Sequence, residues 1–368
     1  MAKGKLLRGA SRRSLLQQFG AAAIGISFAG GLSGCGQGGG GGNVVNFYNW
    51  DTYIGPTTLD DFRAATGTRV QMSLFSTNDE LFARLRAGNQ GYDVVVPSNE
   101  FVTRMSQAQL LQPLDHSKIP NKANLLPDFQ DAAFDPGRRY SMPYTWLVLG
   151  IGYNKAAAAA KGVPIPNSWR YLFDSDTFAG RIALLSESAD LIRLCAKYQG
   201  ISLNNIPDAN LSSIEQMLIR QKRRVKAFHE DDGQDLLESG EIDIVLEYNG
   251  DMAQLIARTG DKFGFVVPQE GTLINSDCLC IPTGAPNPDG AHAFINYLLD
   301  PEAGQKITEE IQYPTPNAAV AERMGDAYRN NPVIFPPADL MAKSEYGAFE
   351  GDERARVYEE IFTRVSAA

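Results

Sequence analysis

The sequence predicts an α/β protein of two lobes, with a ligand cleft between two α/β domains and crossing strands as the hinge. Three observations carry this. Short apolar runs alternate with amphipathic stretches in a strand–helix rhythm that starts, breaks and starts again. The 368 residues suffice for two domains of ordinary size. Hydrophobic residues make up 43% of the chain against 21% charged, so each domain can bury its own core.

The first rhythm runs through a strand at 44–48, a helix at 56–65 ended by the Gly67 turn, a strand at 70–75, a helix at 79–87 and a buried strand at 92–97 stopped by Pro97. This βαβαβ order gives a mostly parallel sheet covered on both faces. Gly150-Ile151-Gly152-Tyr153-Asn154 reads as a crossing strand. The rhythm restarts with a strand at 181–185 and helices at 189–198, 211–220 and 233–238. A strand at 242–247, a helix at 252–258 and a strand at 263–267 follow. Helices between 289 and 311 and at 352–364 close the chain, which holds no internal repeat. The expected lobes are 43–149 plus 277–316, and 150–276 plus 317–368. In such sheets ligands sit beyond the carboxyl ends of the strands.

The N-terminus reads as an address. Ser11-Arg12-Arg13-Ser14-Leu15-Leu16-Gln17 is a twin-arginine export motif. The Gly- and Ala-rich apolar stretch at 19–32 has 14 residues, short of the ~20 that a membrane-spanning helix needs. Leu32-Ser33-Gly34-Cys35 resembles a lipoprotein box, with the Cys35 thiol as the lipid acceptor, so 1–35 is expected to be a signal segment. Six glycines in the seven positions 36–42 make a flexible tether of roughly 15 Å.

Once the leader's Lys3, Lys5, Arg8, Arg12 and Arg13 are set aside, the 34 basic residues fall to 29 against 43 acidic ones. A surface so acidic repels nucleic acid and anionic lipid and tolerates or attracts cations. Beyond the leader stand three cysteines, an odd count that does not describe a disulfide framework. Cys278 and Cys280 are expected on opposite faces of one strand, and Cys195 with them as a small buried hydrophobe.

The chemistry of most enzymes is missing. No Walker A sequence, complete dinucleotide loop or Gly-x-Ser-x-Gly elbow occurs. His116, His229 and His292 are far apart and carry no metal spacing. No cofactor, metal or catalytic residue is expected.

Aromatic and acidic residues instead gather at predicted strand ends. Trp50, Asp51 and Tyr53 follow the first strand, and Glu100 follows the third. Glu187 and Asp190 follow the strand ending near Leu185, while Tyr248 and Asp251 follow the one ending at Glu247. Asp277 is expected at the start of another strand, and Tyr313 opens a proline-rich turn. Any one of these acids could be a helix cap; their recurrence points to a site. An aromatic face attracts a cation by ~0.5–2 kcal/mol and packs against methylenes. A buried ammonium needs a carboxylate partner. Rings plus separated acids therefore suit a linear alkyl di- or triamine.

The chain resembles the spermidine/putrescine-binding proteins of bacterial ABC importers over nearly all of 43–368. The resemblance is carried by Phe47-Tyr48-Asn49-Trp50-Asp51-Thr52-Tyr53, Tyr92-Asp93-Val94-Val95-Val96-Pro97-Ser98, Met142-Pro143-Tyr144-Thr145-Trp146, Tyr248-Asn249-Gly250 and Tyr313-Pro314-Thr315-Pro316-Asn317. It implies a periplasmic-binding-protein fold that closes on a polyamine walled by Trp50, Tyr53 and Tyr313. It also implies acidic contacts from Glu187, Asp190, Asp277 and Asp251, and permease subunits as partners; with the lipoprotein box, the expectation is a monomer held at a membrane by lipidated Cys35. Departures are Tyr248 for a usual tryptophan, Asn275 for an aromatic, Glu100 for an aromatic or serine, and Gly347, loosely aligned, for a glutamine. They imply a more polar pocket. Another small organic cation or amino acid, a sensor subunit or a lipid-tethered enzyme are the competing readings.

Overall fold

The computed structural model describes residues 44–230 and 232–368. The export motif, the apolar stretch, Cys35 and the glycine tether lie outside the described residues. Among the described residues, no helix is long and apolar enough to cross a membrane.

Ten strands form among these residues: β1 Val44–Asn49, β2 Arg69–Leu74, β3 Val94–Val95, β4 Ser141–Asn154, β5 Ile182–Leu185, β6 Val225–His229, β7 Ile244–Tyr248, β8 Phe263–Val266, β9 Leu273–Cys280 and β10 Glu345–Tyr346. Their spatial order is β2-β1-β3-β9-β4-β7-β5-β6, with β8 beside β4 and β10 beside β9. β1 pairs in parallel with β2 and β3, and β5 pairs in parallel with β6 and β7. β1 is apolar at successive positions because helices and loops cover both its faces. Phe47 meets Phe294 at 5.2 Å on one side, and Tyr48 stacks on Tyr92 at 4.3 Å on the other. A second core surrounds Trp169, Phe173, Ile182 and Leu184, with the Trp169 indole donating to the Gly271 carbonyl at 2.8 Å.

β4 joins the two halves. Its first half pairs with β9, and its second with β7 and β8. Gly150 and Gly152 sit where it changes partners. A Cβ at Gly150 would lie 2.3 Å from the Phe265 ring, and one at Gly152 2.5 Å from the Met252 sulfur. Close approach, rather than unusual dihedral angles, calls for glycine at both.

The structure departs from expectation in several places. The buried run at 92–97 pairs over only two residues, because Pro97 lacks a donor and the Asp93 carboxylate takes the Asn46 N–H at 2.8 Å and the Asn287 N–H at 2.6 Å. The crossing strand has 14 residues, its first half disguised by Pro143, where the register shifts. Asp277 is the fifth of the eight residues of β9, not its start. β6 and the helices Asn99–Gln107 and Ala318–Arg329 were not foreseen. Cys278 and Cys280 share one face of β9 and one apolar cluster with Tyr48 and Phe75, since residues two apart on a strand point the same way. Both are free and buried, as is Cys195.

The junction below β4 hangs on Asn249, fully buried. Its Oδ1 accepts the Val148 N–H and its Nδ2 donates to the Ile334 carbonyl, both at 3.1 Å. Asn249→Ala leaves two buried backbone groups unpaired, and urea unfolding is expected to register a loss of about 2–5 kcal/mol. A loss below ~1 kcal/mol would show that the junction holds without it.

Candidate functional site

The carboxyl ends of β1, β3, β5 and β7 deliver their side chains to one cleft. Tyr53 enters from the turn after β1. Ser98, Glu187 and Tyr248 stand at the N-caps of the helices Asn99–Gln107, Ser188–Tyr198 and Asn249–Thr259. Glu100, Asp190 and Asp251 occupy the first turns of those helices, where the dipole favours negative charge. First-turn acid and cleft acid are here the same residue.

The nine residues singled out from the sequence all line this cleft, a cavity of about 100 Å³. Trp50 is fixed by its indole N–H on the Val96 carbonyl, 2.9 Å, and by its ring against Phe75, 4.3 Å. The Tyr53 hydroxyl donates to Asp277 Oδ2 at 2.9 Å and touches the Thr145 hydroxyl, and its ring meets that of Tyr313 edge-on at 5.1 Å. Tyr313 donates to Asp251 Oδ2 at 2.7 Å. Its ring lies so close over Gly250 that a Cβ there would come within 2.1 Å, which accounts for the glycine after Tyr248-Asn249. Ser98 Oγ donates to Asp277 Oδ1 at 2.7 Å, and the Asn275 amide to Asp190 Oδ2 at 3.4 Å.

Burial sets the electrostatics. It pushes the Glu187 carboxyl up to about 8, aided by the charges of Asp190, Asp79, Glu100 and Glu230. Burial and then the Glu100 charge raise Asp190, while Arg193 and the Asn275 amide oppose them. Asp277 rises to about 6 through burial, held back by the Ser98 and Tyr53 hydroxyls. Burial likewise raises the hydroxyls of Tyr53 and Tyr248, which stay protonated as donors.

Glu100 differs from the other acids. It lies in the cleft wall as expected, but its carboxylate is paired with Arg193. Sequence reasoning missed Arg193, although a lone arginine inside Leu191-Ile192-Arg193-Leu194-Cys195 signals a buried charge that needs a partner. It also missed Glu230, which directly follows the unrecognised strand β6, and the hydroxyl support from Ser98 and Thr145.

Residues 57–336 match the family model described as "Bacterial extracellular solute-binding protein". The putrescine-binding periplasmic protein SpuD of Pseudomonas aeruginosa is 32% identical over 343 residues, covering 89% of this chain and 93% of that one. The spermidine/putrescine-binding periplasmic protein of Escherichia coli is 31% identical, covering 88% and 92%. A solved chain of Listeria monocytogenes, provisionally assigned to a spermidine/putrescine ABC transporter, superposes with a TM-score of 0.83 at 31% identity, covering 88% and 99%.

The raised acids predict a pH dependence of stability. An unfolded glutamate titrates near 4.3, so between ~5 and 8 the folded chain holds a proton on Glu187 that the unfolded chain has lost. Unfolding then releases a proton, and the folded state loses ground as pH rises through this window. Glu187→Gln is therefore expected to gain in melting temperature over the wild type from pH 5 to 8, with the gain level above 8. Parallel melting profiles would show that Glu187 ionises normally.

Proposed function

The chain belongs to the bacterial extracellular solute-binding proteins, and from that premise we propose that it captures a polyamine, putrescine or spermidine, outside the cytoplasm and delivers it to an ABC importer. The observation that carries this reading is the convergence of Glu187, Asp190, Asp251 and Asp277 with Trp50, Tyr53, Tyr248 and Tyr313 in one cavity. Carboxylates balance the ammonium ends, and rings grip the methylenes between them. Two such ends and a packed chain reach a micromolar dissociation constant, about −8 kcal/mol. The names of the relatives point to the same ligand class.

The ligand leaves as it came, and no residue here is assigned to catalysis. The two lobes divide as 43–149 plus 277–316 and 150–276 plus 317–368, with β4 and β9 crossing between them. Exported through the twin-arginine motif, the monomer is held near the membrane by lipidated Cys35 and presents its closed form to the permease. Asn275 and the paired Glu100 favour a second reading, a differently shaped organic cation in the same cleft. A thermal-shift screen of small cations separates the two, because a true ligand stabilises by mass action.

Calorimetry with putrescine, cadaverine, spermidine and spermine is expected to give binding to at least one, and silence to all four would sink the polyamine reading. Asp277→Asn is expected to weaken that binding by about tenfold or more, since an ammonium would lose a buried partner. Near-native affinity in that variant would move the ligand elsewhere. Amines stay charged to about pH 10, while Glu187 holds its proton at neutral pH and Asp277 takes one up as pH falls through about 6. Binding is therefore expected to release protons and to strengthen from pH 5 to 8, measured as a buffer-dependent heat. A heat independent of buffer would exclude that linkage.

A further inference from the structure

Among the described residues, no basic side chain lines the cavity, but Arg193 stands directly behind it. Its side chain is 2% exposed. Nη1 donates to Glu100 Oε1, and Nη2 donates to the Ala348 carbonyl at 2.5 Å and lies 3.7 Å from Glu350 Oε2. The Tyr358 ring centre is 5.7 Å from the guanidinium carbon. Nε is buried without a partner. Glu350 is itself engaged by the Tyr358 hydroxyl at 2.9 Å and the Asn205 N–H at 2.6 Å. Those neutral donors leave the charge of Glu350 in place, and Asp190 also acts on the guanidinium, but Glu100 is the carboxylate hydrogen-bonded to it directly and the one that lines the cleft. The guanidinium cannot lose its proton.

The surroundings are shaped for this pair. The two residues come from different parts of the fold, Glu100 from the helix after β3 and Arg193 from the helix after β5. Gly347 passes beside both: a Cβ there would lie 2.3 Å from Glu100 Oε1 and 3.3 Å from Arg193 Nη1. The Asn99 amide holds that glycine by its carbonyl at 2.7 Å. A side chain at 347 would push Glu100 away from the arginine.

We propose that Arg193 is a resident cation of the binding site, which spends the charge of Glu100 and withholds that carboxylate from the ligand. Arg193 thereby sets how many ammonium groups the cleft can match and acts as a specificity-determining residue that never touches the ligand. This rests on the polyamine reading above. Removing one partner of a buried pair strands the other charge, whereas removing both is close to neutral, so the two single variants and the double variant behave differently.

The test is a cycle of Glu100→Gln, Arg193→Gln and the double variant, with putrescine and spermidine titrated calorimetrically into each. Glu100→Gln is expected to weaken both amines by about tenfold or more, because an unmatched guanidinium then repels them. Arg193→Gln frees a carboxylate and is expected to raise the spermidine-to-putrescine affinity ratio by about fivefold or more. The double variant is expected to recover most of the loss and to return the ratio to that of the wild type. A loss in Glu100→Gln confined to spermidine, and still present in the double variant, overturns the proposal, because Glu100 then contacts the ligand. Melting of the ligand-free proteins supplies a second readout: each single variant melts below the wild type and the double variant regains the difference. Additive shifts overturn the pairing. If a single variant is unfolded by circular dichroism, the double variant decides alone: an unchanged ratio supports the proposal and a lowered ratio overturns it. If the wild type binds neither amine, the polyamine reading fails separately, and the melting cycle still decides whether Glu100 and Arg193 act as one unit.

Discussion

The constraint on which the molecule turns is the burial of negative charge without a full complement of positive charge. Isolated carboxylates in a medium of low dielectric cost several kcal/mol each, and they escape by taking up protons or by finding donors. Both escapes are used here. Asp277 receives two hydroxyls, Asp251 one and Asp190 an amide, while Glu187 keeps its proton to about pH 8. Hydroxyl donors hold the acids in place without cancelling them. The result is a cleft strained toward accepting cations, and every nearby element can be understood as bearing that strain.

The fold bears it by placing charge where the backbone favours it. Parallel strands end together, and each hands the chain to a helix whose first turn carries a partial positive charge. Asp190 and Asp251 sit in such turns and so stand at the edge of the site without weakening their helices. Aromatic rings from the turn after β1 and from Tyr313 close the space between. The long strand β4, pinned by Asn249 and thinned by Gly150 and Gly152, ties the half of the sheet that supplies Asp277 to the half that supplies Asp251.

Much of this was legible in the sequence, for physical reasons. Trp50 and Tyr53 stand right after an apolar run, and Glu187 and Asp190 stand right before one, so strand-end geometry alone places them at one rim. The alternation of strand and helix periods located β1, β2, β5, β7 and β8 to within two residues. What escaped depended on tertiary pairing. β9 holds a buried aspartate and a buried asparagine, which no hydrophobic pattern marks as strand interior. Pro143 hid half of β4. Arg193 looked like an ordinary residue of an amphipathic helix, because its partner Glu100 lies 93 residues away. The opposite-face reading of Cys278 and Cys280 was an error of periodicity, since alternate strand positions share a face.

That shared face has a practical side. Burial raises the thiols of Cys195, Cys278 and Cys280, so at neutral pH they are neither exposed nor ionised. Alkylating dyes need a thiolate at the surface and will pass these three by. One cysteine engineered onto the rim of the cleft of a chain begun at residue 44 would therefore be the sole attachment point for a fluorophore, with no native thiol to remove first. The same buried sulfurs that look idle in the fold make the molecule a ready chassis for an optical reporter.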